Sequence, residues 1–454
     1  MDPVIFFLSD SSIRVTPPIW IIGGTLAGLI TAFRLLSYGF HIGILERRPE
    51  SQKQDQLDLL PPVWPGFFHT TWSLLQEISL PLPRFHTGSI EVLSPDNHRH
   101  RIPRFPVFSG LHVFPELLFF QGLSWRDRLN VLNHVEQGWE NNEESVATPD
   151  TQTAETWVTA ARQSQSAQQE FWNPLCRWLL GCDLSEASLR MFLTTLGQYA
   201  QATSAGTQWF FGHLSTQNDL KTGLRELLRK QGVRFHSCEE YPLFQSTGIN
   251  SENLALAGDA FSESGIYVAA LPPEEILPLL PERSLTKFAH LDRVGQIPNY
   301  PRTLLTFTIS HMKVSPTVIL CPDHIDWMII SPPTDSLETD IQVSCLLRDT
   351  RDNSSSNPHP DIPKIWSYLQ AALPIPQNHS DTSCPPPVRP QMLSLYPSVL
   401  GSRTFRPPNT SPVPNFFMVG PWTATSLSHS MESLVSSANS CAEAIAHRIF
   451  SGLR

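Results

Sequence analysis

The sequence predicts an α/β fold in which a parallel nucleotide-type sheet is assembled from separated segments, with an α+β substrate-binding unit inserted between them. Three observations predict it. A strand–helix–strand signature opens the chain at residues 19–46, and a strand–helix signature closes it at 415–450. The stretch between them mixes helical and strand-like runs and carries no internal repeat. On this reading residues 14–60, 215–270 and 410–454 form the nucleotide-binding domain, and residues 61–214 and 271–409 the substrate-binding domain.

The first element is IWII, residues 19–22, an uninterrupted apolar run ended by Gly23. That is the pattern of a strand buried on both faces of a parallel sheet. Leu26, Leu29, Ile30, Phe33 and Leu36 then share one face of a helix that Gly39 terminates. Residues 41–45 form a second strand closed by Glu46, which makes a unit of about 30 residues with a right-handed crossover. After a polar connection at 50–60, residues 67–78 read as a helix and 89–102 as a hairpin around SPDN. Residues 124–139 read as a helix with Ser124 as its N-cap. A polar surface loop, 140–152, precedes a strongly helical stretch at 153–201. Helix 219–231 leads into strand 233–236, and 254–270 reads as a hairpin with AGDA at its turn. Strand-like runs fill 303–348, a loose polar loop spans 349–363, and a short helix spans 365–372. Strand 415–420 and helix 431–450 close the chain.

Composition narrows the functional classes. The 454 residues are 41% hydrophobic and 16% charged, a globular balance with room for two or three domains. A net charge of −10 without a basic run argues against a nucleic-acid partner. The 41 prolines stiffen connecting segments. Cys176, Cys182, Cys238, Cys321, Cys345, Cys384 and Cys441 are odd in number and form no CxxC pair. This argues against zinc and fits inert thiols in a reducing, cytoplasmic compartment. The apolar residues 4–8 follow no Lys or Arg and are too few for a signal peptide. No apolar run reaches the roughly 20 residues of a transmembrane helix. Residues 105–123, rich in Phe, Val and Leu but broken by Pro106 and Pro115, read either as packed core or as a surface that meets a bilayer or a lipid.

The text IIGGTLAGL carries the first candidate site. Gly23 permits the tight turn off the strand, and Gly28 lets the helix pack on the sheet. The helix N-terminus offers N–H groups and a positive dipole end to a pyrophosphate. Glu46, about 20 positions on, is placed to accept from a ribose diol. Thr25 stands at the middle glycine of G-x-G-x-x-G. A β-branched side chain there crowds the pyrophosphate unless its hydroxyl bonds to it.

At this level the chain resembles a known group. IIGGTLAGLITAFRLLSYGFHIGILERR resembles the N-terminal FAD motif of the amine oxidase and carotenoid desaturase superfamily, and NFFMVGPWTATSLSHSMESLVSSANSCAEAI its second FAD segment. Within that superfamily GLHVFPELLFFQGLSWRDRL, FWNPLCRWLLGCDLSEASLRMFLTTL and GIYVAALPPEEILPLLPE resemble the squalene-associated FAD-dependent desaturases, or hydroxysqualene dehydroxylases. The resemblance implies a discontinuous, Rossmann-like FAD-binding domain with an inserted α+β substrate domain of the amine-oxidase type. It implies that Gly23, Gly24, Thr25, Ala27 and Gly28 line the pyrophosphate, and that Glu46, followed by Arg47, binds the adenosine ribose. It puts the Tyr241 backbone at the adenine, Gly420 and Pro421 at the ribityl chain and second phosphate, and Ser430, Met431 and Glu432 against the flavin ring. The chain departs from the family pattern at four places. Pro421 replaces an acid, Ser433 replaces a glycine, PESQKQDQ replaces a Gly-Gly-Arg clamp, and Pro62 stands where a histidine is usual.

The implied activity is FAD-dependent oxidation or reduction of a long apolar isoprenoid, in squalene or hopanoid synthesis. Such a substrate implies peripheral contact with the inner face of a membrane and association with other isoprenoid enzymes. Aromatic faces stabilise an allylic cation, and the chain supplies Phe119, Phe120, Phe171, Trp172, Trp178, Phe192, Trp209, Phe210 and Phe211 as candidates. His69, His112, His213 and His311 are isolated, and Asp183 and Glu186 fit helix-start charge as well as chemistry. No Ser-His-Asp set or metal cluster is readable from spacing. Two alternatives stay open: a carotenoid desaturase or amine oxidase of the same fold, and a non-catalytic relative that serves as a binding partner.

Overall fold

A computed structural model describes residues 17–48, 56–57, 62–81, 84–105, 113–140, 150–213, 215–246, 253–257, 265–281, 291, 293–309, 312, 314–322, 324–331, 340–348, 362–373 and 388–451. Two large sheets organise them. The smaller is parallel and five-stranded, in the spatial order Phe416–Met418, Ile266–Ala269, Ile19–Ile22, Ile42–Arg47, Arg234–Cys238. Ile22 is level with Ala269 on one side and Leu45 on the other, and Ala269 is level with Met418. Ile19, Ile21 and Ile22 are fully buried, as an apolar run covered on both faces requires.

Three helices cover one face of this sheet: Leu26–Ser37, Thr216–Lys230 and Met431–Ser451. They meet through Leu29, Leu35, Leu220, Leu224, Val435 and Ile445, all fully buried. Each such side chain contributes roughly 1.5–3 kcal/mol by leaving water. Ala438 and Ala442 keep the last helix close to the first. The opposite face packs Ile22, Leu45, Tyr267 and Trp422 against Tyr241, Phe244 and Tyr396.

Ile19–Ile22 is the strand from which the connections diverge. Its helix leads one way to Ile42–Arg47, while Ile266–Ala269 joins its other side. Open parallel sheets bind ligands at the carboxyl ends of strands at such a switch point.

Residues 254–270 are not a hairpin. Leu254–Leu256 pairs antiparallel with Phe244–Ser246, whereas Ile266–Ala269 pairs parallel with Ile19–Ile22. The reason is burial on both faces: IYVA is buried at every position, so it takes an interior place in the parallel sheet. Most of AGDA lies outside the described residues, as do most of the loops at 140–152 and 349–363.

The second sheet is ten-stranded and mostly antiparallel. Its order is 56–57, 388–395, 300–309, 341–347, 325–331, 317–320, 86–93, 209–211, 63–65, with 99–101 paired to 86–93. Strand Val388–Leu395, unmarked in the sequence reading, pairs with Tyr300–Ile309. The helical stretch 153–201 breaks into Ala154–Ala160, Gln165–Ala167, a π-helical turn at Gln168–Trp172, Asn173–Leu180 and Leu189–Gln201. Helix Asn173–Leu180 is tied to the sheet by buried charge. Arg177 Nε pairs with Asp183 at 3.0 Å, and its Nη1 reaches Asp326 at 3.4 Å. Arg302 and Arg348 complete the network, at 3.6 Å from Asp326 and 2.6 Å from Asp183. Burial pushes the Asp326 carboxyl upward even so, with the arginines opposing it.

Among the described residues the six cysteines are free, and no helix is long and apolar enough to cross a membrane.

Candidate functional site

The turn after Ile22 is locked by close contacts. Gly23 has φ +111°, and a Cβ on it would stand 2.4 Å from the Ala270 carbonyl. A Cβ on Gly28 would stand 2.4 Å from the Gly23 carbonyl. Only glycine fits either place. Thr25 is the helix N-cap: its Oγ1 accepts from the Gly28 N–H at 3.3 Å and donates to the Ala270 carbonyl at 2.9 Å. Its hydroxyl is therefore engaged within the protein. The first turn of this helix holds no acidic side chain of its own. Ala27 is 4% exposed and packs into the core.

Glu46 ends the neighbouring strand against the turn. A Cβ on Gly24 would stand 2.6 Å from Glu46 Oε2, so the absence of a side chain at 24 makes room for this carboxylate. Arg225, from helix Thr216–Lys230, holds the same oxygen at 2.6 Å. The sequence reading missed Arg225, whose helix lies nearly two hundred positions on. Arg47 turns the other way, pairing with Glu275 at 3.0 Å and lying over the Tyr241 ring at 4.7 Å. Burial pushes the Tyr241 phenol up to about 12.

The C-terminal segment reaches the same region. Gly420 follows strand Phe416–Met418, and its N–H donates to Ser437 Oγ at 3.1 Å. A Cβ on Gly420 would stand 2.4 Å from Trp422 Nε1, which donates to the Leu271 carbonyl at 3.2 Å. Leu271 Cδ2 would in turn stand 2.9 Å from a Cβ on Gly23. Gly23, Leu271 and Trp422 thus form a chain of contacts between the two ends of the sequence. Two departures from the family pattern bond to each other, because Ser433 Oγ donates to the Pro421 carbonyl at 3.0 Å. Pro62 packs on Gly212, whose N–H donates to the Pro62 carbonyl at 2.8 Å. Residues 49–55, in place of the clamp, lie outside the described residues.

Ser430 caps the last helix, with its Oγ accepting from the Ser433 N–H at 3.2 Å. Met431 is 2% exposed and sits in the core. Glu432 does something the sequence did not show. Its Oε1 accepts from the Thr70 N–H at 3.0 Å, and its Oε2 from the Thr71 N–H at 3.0 Å and the Thr71 hydroxyl at 2.7 Å. It thereby caps helix His69–Ile78, whose own N-cap residue Phe68 makes no side-chain capping bond.

Ser430, Met431 and Glu432 line a small cavity of about 70 Å³, together with Phe67, Leu179 and Trp209. The same Phe67, Leu179 and Trp209 line a larger cavity of about 230 Å³, so the two adjoin. Of the aromatic candidates, Phe120, Phe171, Trp172 and Trp209 line the larger cavity and Trp178 the smaller. Phe192 and Phe211 are core, Phe210 packs on Trp72, and Phe119 is 60% exposed. Leu118, Trp125 and Leu129 are exposed near Phe119, while residues 106–112 lie outside the described residues. The sequence reading missed Glu116, Trp157 and Tyr199, which also line the larger cavity. His69 is exposed, His213 bonds Ser215 at 2.9 Å, and His112 and His311 lie outside the described residues. Asp183 belongs to the arginine network, and Glu186 accepts from the Tyr300 hydroxyl at 3.5 Å. Among the described residues no cluster of ligands could hold a metal ion.

No protein-family model matches the chain, and no curated protein matches it by sequence. Solved structures do match it. An oxidoreductase from Methanosarcina mazei superposes with a TM-score of 0.65 at 15% identity, covering 94% of this chain and 100% of that one. Cyclohexylamine oxidase from Brevibacterium oxydans gives 0.58 at 16%, covering 95% and 99%. Putrescine oxidase bound to putrescine gives 0.58 at 14%, covering 94% and 98%. The fold is that of these amine oxidases: a parallel nucleotide-type sheet joined to a second, mixed unit.

Proposed function

We propose that the chain is an FAD-dependent oxidoreductase acting on a long, apolar isoprenoid, of the hydroxysqualene dehydroxylase kind. The observation that carries this reading is the meeting of Gly23 and Trp422 across Leu271 at the switch point of the parallel sheet, with an aromatic cavity beside the last helix.

The residues fit a dinucleotide. Gly23, Gly24 and Thr25 present backbone at the turn, and the Thr25 hydroxyl is held by Ala270. Glu46 stands against Gly24 with Oε2 on Arg225, which leaves Oε1 to accept from a ribose hydroxyl. Arg225 also supplies a cation beside the turn, the role a Gly-Gly-Arg clamp has in relatives. Arg47 and Tyr241 would flank the adenine end, and Gly420 and Pro421 the second phosphate. Ser430 opens a 21-residue helix whose positive end favours negative charge nearby. When bound, a flavin supplies hydride transfer to or from a substrate carbon, while the protein orients the substrate and excludes water.

The larger cavity supports the isoprenoid over an amine. Its walls are mostly aromatic and aliphatic, and Arg101 and Arg104 line it as well. Both guanidinium groups are exposed to solvent, so they oppose an ammonium only weakly, and the apolar walls carry the preference. Anaerobic mixing separates the readings. An isoprenoid allylic alcohol is expected to reoxidise the photoreduced holoprotein, while putrescine and cyclohexylamine leave the oxidised holoprotein unbleached. Rapid bleaching by either amine would overturn the isoprenoid assignment.

A further inference from the structure

We propose that the larger cavity binds a long, neutral hydrocarbon bearing one hydroxyl, and that Glu116 and Tyr199 are the pair that holds that hydroxyl. This deepens the apolar-substrate reading above and rests on it for the cavity's role.

Glu116, on the short helix Val113–Phe119, is 4% exposed and lines a cavity walled by Phe120, Trp157, Phe171, Trp172 and Trp209. A carboxyl in such surroundings is costly and calls for a partner. Its Oε2 accepts from the Tyr199 hydroxyl at 2.8 Å, and its Oε1 from the Phe105 N–H at 3.4 Å. Among the described residues it makes no ion pair. Burial holds the carboxyl up at about 7, with Tyr199, Phe105 and Arg104 pulling the other way. Below that pH the group is neutral and carries one proton to donate. Among the described residues both of its bonds to protein are ones in which it accepts, which leaves that proton for an oxygen inside the cavity. Burial also pushes the Tyr199 phenol well above its ordinary value, so Tyr199 stays an O–H donor.

The chemistry selects the ligand. The walls take a hydrocarbon chain, and the carboxyl–phenol pair is a polar feature set among them, beside Ser89, Thr195, Thr207 and the exposed Arg101 and Arg104. A hydroxyl matches a neutral acid, because it accepts the acid's proton without bringing a charge. The exposed Arg101 and Arg104 add no attraction for an ammonium head. A diphosphate head would have to leave water for a mostly apolar enclosure, which is costly for its charges. Among the described residues, the titratable and charged groups facing Glu116 are Tyr199 from helix Leu189–Gln201 and Arg104 from the segment before its own helix, with Arg101 lining the same cavity.

The test is ligand binding to the full chain, read by quenching of tryptophan emission with farnesol, farnesene, farnesylamine and farnesyl diphosphate. At pH 6 farnesol is expected to bind about tenfold more tightly than farnesene, the size of one well-placed buried hydrogen bond. Glu116→Leu should reduce that ratio to about twofold or less while farnesene still binds, which also shows that the variant folds. Glu116→Gln, which keeps a donor, should retain most of the preference. In the parent the ratio should shrink as pH rises through about 7. Equal binding of farnesol and farnesene, tightest binding of the amine or the diphosphate, or a preference untouched in Glu116→Leu would each overturn the assignment. Binding preference is read without flavin turnover. A chain that takes flavin but lacks the farnesol preference defeats this assignment alone. A chain that prefers farnesol but never takes flavin defeats the oxidoreductase reading alone.

Discussion

Thr25 and Ser433 each stand where the family pattern has glycine, and each directs its hydroxyl to a carbonyl of the protein. From sequence, Thr25 looked like an obstacle to a phosphate. In the structure its hydroxyl caps the helix at the Gly28 N–H and donates to the Ala270 carbonyl, 245 positions away. Single-residue chemistry is legible where it depends on local backbone, as at Gly23 and Gly28. It is hidden where the partner comes from a distant segment, as with Arg225 on Glu46. Glu116 gives the clearest prediction at this scale. Its folded carboxyl titrates at about 7, above the ordinary 4.5. Between those values the folded chain keeps a proton that the unfolded chain has lost, so this residue's contribution to stability falls as pH rises through the window. Relative to the parent, Glu116→Gln is expected to gain about 1–3 kcal/mol between pH 5 and pH 8. Denaturant unfolding at both pH values measures it, and a pH-independent difference would contradict it.

Elements were legible in proportion to their periodicity. IWII and helix Leu26–Ser37 carry one clear period each and were read nearly to the residue. IYVA carries the same both-faces signature, yet a nearby apolar run at 254–256 invited a hairpin. Strand Val388–Leu395 contains Pro390 and little alternation, which masked it. Glu432 joins two elements that no sequence period links. It satisfies the start of helix His69–Ile78 from the start of the last helix. Glu432→Ala should destabilise the chain by about 1–3 kcal/mol, leaving buried N–H donors unmet. Amide exchange should show the loss concentrated at Thr70 and Thr71, and protection unchanged there would contradict the capping role.

At the scale of the whole molecule, residues nearly 400 positions apart are brought to adjacent places by strand order alone. Ile266–Ala269 lies between the first strand and the last, so the loops after all three leave the same edge of the sheet. The amine-oxidase fold follows from that order together with the mixed sheet that carries the cavity walls. The central claim is that these converging loops hold one flavin nucleotide, and calorimetric titration of the purified chain with FAD tests it most directly. The expected result is saturation at one FAD per chain, lost in Gly24→Val, whose side chain would meet Glu46, and weakened about tenfold or more in Arg225→Ala. A chain that purifies without flavin and shows no heat of binding to FAD would contradict the account.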